Sequence, residues 1–201
     1  CGPLIHRGSL FPPSFYGNAF IAEPAGNLVK RILVEEHDGI PRARNAYERT
    51  EFLTSTDERF RPVNLYNGPD GALYVVDMYR GIIQHRIFVT TYLRNQIIER
   101  GLESPIGMGR IYRIVPEGAP SLRVPKLAEA TREELVAALE HENGWWRETA
   151  QRVLVERSDT QAASLLRTMV RTSRSALARL HALWTLEGLD ALDWDSVAHA
   201  L

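Results

Sequence analysis

Arg59 and Arg61 are the two residues whose spacing most directly points to ligand chemistry. In an extended strand, residues two positions apart point to the same side, so both guanidinium groups would project from one face and Phe60 from the other. Adjacent guanidinium groups repel each other unless an anion or acidic side chains lie between them. The spacing therefore predicts either a clamp for a polyanionic ligand or salt bridges to acidic neighbours such as Asp57 and Glu58.

The run Asn67-Gly-Pro-Asp-Gly71 has two interpretations. As a metal loop it offers Asp70, but it lacks acidic partners at the alternating positions that a calcium loop uses. Its Gly, Pro and Asn content favours a tight turn. Asp77 and Arg80 have two interpretations as well, an ion pair that fixes a turn or a wall of a central pocket.

Histidine and cysteine usage predicts no metal site and no catalytic set. His6 and His85 stand alone, which favours structural roles, and His181 lies three residues before Trp184, a spacing typical of packing on a helix. Cys1 is the one cysteine, which excludes an internal disulfide and a CxxC site within the chain. No Ser-His-Asp set, phosphate-binding loop or dinucleotide fingerprint is present.

The elements that must position these residues differ between the two halves of the chain. Up to about residue 118, apolar-rich runs alternate with turns, and we expect strands at 18–23, 28–35, 49–53, 62–66, 72–77 and 109–115. Residues 24–27 predict a hairpin turn, and residues 91–100 predict a helix that ends at Gly101. Turns at this density indicate a β-propeller blade or a β-sandwich.

The second half predicts short antiparallel helices after a linker. Thr131 and Glu134 form a capping box at a helix start. Further helices are expected at the following places: 144–156, from Asp159 onward, 175–187, and from Trp194 onward. The similar segments 150–159 and 180–190 predict an α-solenoid of paired helices, and a small helical bundle is the alternative.

Trp145 and Trp146 are adjacent on one predicted helix, so they cannot both face one core. We expect one of them to be buried between helical repeats. The alternative is a protein-binding surface on the repeats.

Composition restricts the class of partner. Hydrophobic residues make up 44% of the chain and charged residues 24%, as in ordinary globular proteins. The net charge of -1 provides no long-range field for a polyanion, so we expect no nucleic-acid partner. No apolar run is long enough to cross a bilayer, and no signal peptide is visible. Because the chain starts with Cys and stops inside a predicted helix, we expect a piece of a longer protein.

Several stretches carry a family resemblance. Residues 59–79 and 109–116 resemble the closing blade of propellers of the soluble quinoprotein glucose dehydrogenase type, and residues 17–31 resemble the preceding blade. Residues 145–152 and 180–188 are similar to helical repeats of the large bacterial proteins called membrane-bound dehydrogenases. In that family a propeller precedes HEAT-like repeats and often a c-type cytochrome domain.

The resemblance implies a β + α multidomain chain with terminal β-propeller blades at 1–118, a linker at 119–128 and an α-solenoid of HEAT-like repeats at 129–201. It also implies that Arg59 and Arg61 match an Arg-aromatic-Arg step lining the site for pyrroloquinoline quinone, whose carboxylates suit paired arginines. The histidine base and calcium loop of those enzymes match no residue here, so both would come from blades outside the chain.

The function that the resemblance implies is a periplasmic or secreted quinoprotein-like dehydrogenase that oxidises a sugar or another alcohol. Electrons would pass to a haem c domain outside the chain, to a cytochrome c or to a soluble acceptor. The alternative is a non-catalytic binding or scaffold protein, in which both the propeller and the repeats recognise partners, because fold does not determine function.

Overall fold

A computed structural model describes residues 2–120 and 124–200, which form two compact units. Unit 1 comprises the chain up to His6 together with residues 10–68 and 72–119, and unit 2 comprises residues 7–9, 69–71 and the chain from Pro120 onward. Among the described residues, no helix is long and apolar enough to cross a membrane.

Sheet A of unit 1 is antiparallel and contains β1 (Pro3–Ile5), β2 (Ala19–Glu23), β3 (Leu28–His37), β4 (Ile40–Asn45) and β5 (Leu53–Thr54). The order is β1-β2-β3-β4, and β5 pairs with the first residues of β3. β2 and β3 confirm the strands predicted at residues 18–23 and 28–35. The prediction at 49–53 is wrong except for its last residue, and β1 and β4 were missed.

Sheet B of unit 1 contains β6 (Pro62–Asn67), β7 (Leu73–Asp77) and β8 (Arg110–Ile114) in the order β6-β7-β8. The turn between β6 and β7 is closed by a 2.9 Å hydrogen bond from Gly68 N to Ala72 O, which confirms the tight turn predicted there. Between β7 and β8 lies a long excursion, residues 78–109, called here the insertion. It contains a short 3-10 turn, Arg86–Phe88, and α1, Thr91–Glu99.

The core of unit 1 is built from alternate residues of β2, β3, β6 and β7. Its fully buried members are Phe20, Ala22, Val29, Leu65, Leu73 and Val75. Aromatic rings close one side of this core, with Phe20 meeting Phe52 edge to face at 4.9 Å. His6 is 1% exposed and meets the rings of Phe11 and Phe20 edge-on.

Unit 2 is helical and contains α2 (Arg132–Ala138), α3 (Gly144–Glu156), α4 (Ala163–Thr172), α5 (Ala176–Gly188) and α6 (Trp194–Ala200). The Thr131 hydroxyl accepts from Glu134 N while the Glu134 carboxylate accepts from Thr131 N, so the predicted capping box is confirmed. Its core is formed mainly by Leu135, Leu139, Ala150, Leu154, Leu166 and Leu186. Trp145 and Trp146 both pack half-buried against this core, so the expectation that one is buried is wrong.

The predicted fold class, terminal propeller blades followed by an α-solenoid, is wrong for the described residues. They form two small antiparallel sheets that do not close, one of five strands and one of three, together with six helices. Turn residues and apolar runs determine local hairpins, whereas closure of sheets into a ring depends on pairing between distant segments. The helices differ in length from 7 to 13 residues and do not form a regular repeat.

Burial lowers the pKa of His6 to about 4 from an ordinary value of 6.5. Below pH 6.5 the unfolded chain binds a proton at His6 that the folded chain does not bind. The stabilisation that depends on a neutral His6 is therefore fully present above pH 6.5 and is lost as the pH falls towards 4. We expect the unfolding free energy of unit 1 to decrease by about 3 kcal/mol over this range. Urea titrations between pH 7 and pH 4 on the parent protein and on His6→Leu measure the difference.

His85→Leu is the matched control, since His85 is exposed in the same unit. His6→Leu should reduce the pH dependence of unit 1, while His181 in unit 2 keeps its own contribution, and His85→Leu should leave the pH dependence unchanged. Equal pH dependence in the parent and in His6→Leu would show that His6 does not cause it.

Candidate functional site

Arg59 lies in a turn, and Arg61 is the irregular residue directly before β6, so neither belongs to an extended strand. The Asp57 carboxylate accepts a 2.9 Å hydrogen bond from Arg59 N, and Phe60 N donates to Asp57 O at 3.0 Å, which closes the turn. Phe60 is 5% exposed and meets the Tyr112 ring edge to face at 6.0 Å. The prediction that both arginines share one face of a strand is therefore wrong. The Asp57 side chain accepts a hydrogen bond from the backbone of Arg59, which favours a turn over an extended strand.

Arg61 binds the start of the insertion. Its guanidinium group donates from Nε to Arg80 O at 2.9 Å and from the two terminal nitrogens to Gly81 O at 3.0 Å and Pro24 O at 2.7 Å. Asp77 fixes the backbone at the same place, since one carboxylate oxygen accepts from Arg61 N and Tyr79 N, both at 2.8 Å. Among the described residues Asp77 makes no ion pair with Arg80, so that predicted pair is wrong.

Arg59 binds the end of the insertion. Its Nε and a terminal nitrogen donate to Ser104 O at 3.2 and 3.0 Å, and the same terminal nitrogen donates to Gly101 O at 3.0 Å. Glu58, which precedes Arg59, forms an ion pair with Arg100, the residue that follows α1. Arg59 thus binds carbonyl groups near the end of the insertion, whereas Arg61 binds two near its start and Pro24 O outside it. The two side chains share no acceptor.

The segments near the two ends of the insertion meet at Gly81 and Leu102. A Cβ atom at this position would lie 2.3 Å from Leu102 O, closer than any side chain tolerates. The glycine is therefore required by a close backbone approach, and not by a left-handed conformation. This contact, with the carbonyl bonds from Arg59 and Arg61, closes the base of the insertion.

A second cluster of polar side chains, Asp57 and Arg110, lies around Tyr79. Tyr79 has a φ of +47°, and its hydroxyl donates to the Asp57 carboxylate at 2.9 Å. The Arg110 guanidinium lies 3.7 Å from the centre of the Tyr79 ring. Hydrogen bonding, first from Arg59 N and also from the Tyr79 hydroxyl, lowers the pKa of Asp57, and the same carboxylate raises the pKa of Tyr79. Sequence reasoning missed this group, although an Asp two residues before Arg59 is typical of a side-chain-capped turn.

A cleft of about 470 Å³ opens beside Arg61 in unit 1, and we call it the Arg61 cleft. Its apolar wall is formed by Ile82, Ile83, Leu93, Ile97 and Leu102. Its polar groups are Glu58, Arg61, Arg100, Gln84, Gln96 and Tyr92. Arg59 does not line it. The cleft therefore combines an apolar body with a small set of charged and amide groups, as small-molecule sites do.

The charge of Arg61 has no carboxylate within ion-pair distance among the described residues. Burial lowers the pKa of Arg61, and the charge of Glu58 acts in the opposite direction. A guanidinium group has five N–H donors, and the carbonyl bonds of Arg61 occupy three of them. A partly desolvated cation with two remaining donors attracts an anion.

The remaining candidate residues have local structural contacts. The exposed His85 ring accepts a 3.4 Å hydrogen bond from Ile87 N, and His181 Nδ1 lies 2.7 Å from Gln151 Oε1. Burial lowers the pKa of His181 to about 4. Cys1 lies outside the described residues. No group of three His, Cys, Asp or Glu side chains within the described residues could hold a metal ion.

Residues 1–118, which include Arg61 and the whole insertion, match a family model described as a domain of unknown function, DUF7133. The chain belongs to the DUF7133 family. No curated protein and no solved structure gives a significant match to the chain. The family assignment therefore carries no activity with it.

We expect Arg61→Ala to loosen the start of the insertion and Arg59→Ala its end. Each substitution leaves carbonyl groups of the insertion without a donor, so local opening becomes easier. Hydrogen exchange should accelerate about tenfold or more at residues 80–84 in the first variant and at residues 101–104 in the second.

The control for this experiment is Arg42→Ala on the exposed strand β4, which should change neither segment. Exchange that rises equally at both ends in both variants would contradict separate anchoring. In that case the insertion opens as a single unit.

Proposed function

We propose that this DUF7133 member is a non-catalytic binding protein whose Arg61 cleft takes a small monoanion with an apolar body. The single observation that carries the proposal is the half-buried Arg61 guanidinium, which faces the cleft with only neutral carbonyl groups as partners. Burying a cation without a counter-charge costs free energy, which a bound anion recovers.

The charges that line the cleft limit the ligand to one negative group. Arg61 and Arg100 supply two positive charges and Glu58 one negative charge, which leaves a net charge of +1. Glu58 and Arg100 already form an ion pair. A ligand with several carboxylates would therefore find one available guanidinium, because Arg59 is bound to carbonyl groups outside the cleft.

The uncharged residues that line the Arg61 cleft determine what kind of ligand body fits next to the anionic group. Isoleucine and leucine side chains of the insertion favour an apolar chain or ring, and Tyr92 offers an aromatic surface. Gln84 and Gln96 add amide groups that can orient a second polar atom. The ligand class that fits is an aryl-alkyl or aliphatic monocarboxylate.

A second candidate is the quinoprotein-like dehydrogenase, for which the favourable observation is that Arg61, one residue of the predicted clamp, lines a cleft. Pyrroloquinoline quinone carries several carboxylates, and the separated arginines fit such a group only in part. Under this hypothesis the histidine base and calcium come from outside the chain, and the substrate is a sugar or another alcohol. The hypothesis stays a prediction.

We expect 4-phenylbutyrate to bind the 201-residue protein and its neutral analogue, 4-phenylbutanamide, to bind at least tenfold more weakly, as measured by calorimetry. Arg61→Gln should weaken 4-phenylbutyrate binding about tenfold, since one charge-assisted hydrogen-bond pair is lost. Glu58→Gln should strengthen binding about threefold, because it removes the negative charge next to the ligand.

The opposite signs of these two variants separate a charge effect from a loss of structure. Glu36→Gln, an exposed carboxylate on β3, is the matched control and should leave the affinity unchanged. Equal binding of the acid and the amide would rule out the monoanion proposal. Pyrroloquinoline quinone is titrated in parallel, and tight quinone binding that Arg61→Gln abolishes would favour the dehydrogenase instead.

A further inference from the structure

Unit 2 contains a depression of about 610 Å³ with one aromatic wall. The rings of His141 and Trp146 stack face to face, with centroids 4.0 Å apart and planes 8° apart. Leu127, Ala130 and Ala138 provide apolar surface around this wall. We call the depression the indole–imidazole pocket. Its volume lies in the range of small-ligand sites, about 300–1,000 Å³.

The aromatic wall is held in place before any ligand binds. Trp146 Nε1 donates to Pro69 O, a residue of the same unit, at 2.8 Å. Asn143 is 1% exposed, and its side chain caps α3 by accepting from Trp145 N at 3.0 Å. The buried Arg147 donates to the carbonyl group of His141 at 2.5 Å. Such prior order reduces the entropy lost on binding.

The hydrogen bonds of His141 fix its tautomer. Its Nδ1 accepts a 3.0 Å hydrogen bond from Asn143 N, so the proton of the neutral ring lies on Nε2. Burial lowers the pKa of His141 below its ordinary value of 6.5; the charge of Glu142 acts in the opposite direction and that of Arg147 in the same direction as burial, so the neutral ring predominates at pH 7. The two stacked rings are therefore uncharged, a planar ligand can stack on an outer face of the pair, and the electron-rich indole favours a cation there.

The charged groups around the pocket favour a cation as well. Lys126 and Glu129 form an ion pair at 3.3 Å and cancel each other. The Glu134 carboxylate remains; one of its oxygens accepts from Thr131 N in the capping box. The charged residues that line the pocket thus sum to -1.

We propose that the indole–imidazole pocket binds a planar aromatic cation, stacked on the Trp146–His141 wall with its positive charge towards Glu134. Planarity is required by the stacked rings, and the charge by the carboxylate and the π faces. This inference does not depend on the Arg61 cleft, since the two sites lie in different units and favour ligands of opposite charge.

The test titrates the 201-residue protein at pH 8 with three probes: 1-methylquinolinium, its neutral isostere quinoline, and the non-planar cation cyclohexyltrimethylammonium. We expect 1-methylquinolinium to bind about tenfold more tightly than either comparison compound, because only it has both features. Calorimetry gives the affinities. The indole N–H resonance of Trp146, assigned with Trp146→Phe, should shift on binding.

Two substitutions test whether the Glu134 charge and the Trp146 ring contribute to binding. Glu134→Gln preserves the capping box, in which Gln also serves, and should weaken 1-methylquinolinium binding about fivefold without changing quinoline binding. Trp146→Phe should weaken binding of 1-methylquinolinium about tenfold. Trp184→Phe is the matched control, because Trp184 is 57% exposed on α5 and outside the pocket. Equal affinity for 1-methylquinolinium and quinoline, an equal loss in Trp184→Phe, or no binding would overturn the proposal.

Discussion

Backbone carbonyl groups at the base of the insertion need hydrogen-bond donors, and Arg59 and Arg61 supply them. A strand that leaves a sheet for a long excursion loses the ladder partners of its backbone, and unpaired groups are costly when water is excluded. The planar guanidinium group can serve several carbonyl oxygens at once, which a lysine ammonium cannot do with the same fixed geometry. The Arg61 cleft exists because this anchoring holds the apolar side chains of the insertion next to the turn at residues 57–61.

Local elements were predictable from the sequence because their causes are local. The α3 range of Gly144–Glu156 and the capping box at Thr131 agree with prediction, since both follow from caps and apolar spacing within a few residues. The hairpin of β3 and β4 was also within reach: Asp38 and Gly39 have φ values of 54° and 76°, the pair that an Asp-Gly hairpin turn requires. Its strand β4 is exposed along its whole length, so no apolar pattern marked it.

Global architecture and the site were harder to predict, for two different physical reasons. Whether sheets close depends on pairings between segments far apart in the chain, which no turn signal reports. The roles of Arg59 and Arg61 depend on carbonyl acceptors, and every residue has a carbonyl group, so spacing cannot identify the partner. The stacked pair of His141 and Trp146 escaped notice because His141 precedes the cap residue Asn143 and so is not on the helix.

The close approach at Gly81 lets the side chains of the insertion vary while its attachment to the sheet stays the same. The segments near the two ends of the insertion, at Gly81 and Leu102, meet at this glycine. Arg59 and Arg61 donate to main-chain oxygens, which are the same whatever side chains the insertion carries. Side chains between the anchors, such as Tyr92 and Gln96, can therefore diverge without weakening the attachment to the sheet. The lining of the Arg61 cleft can thus change while the attachment of the insertion to the sheet stays the same, as is usual for loops on a rigid scaffold.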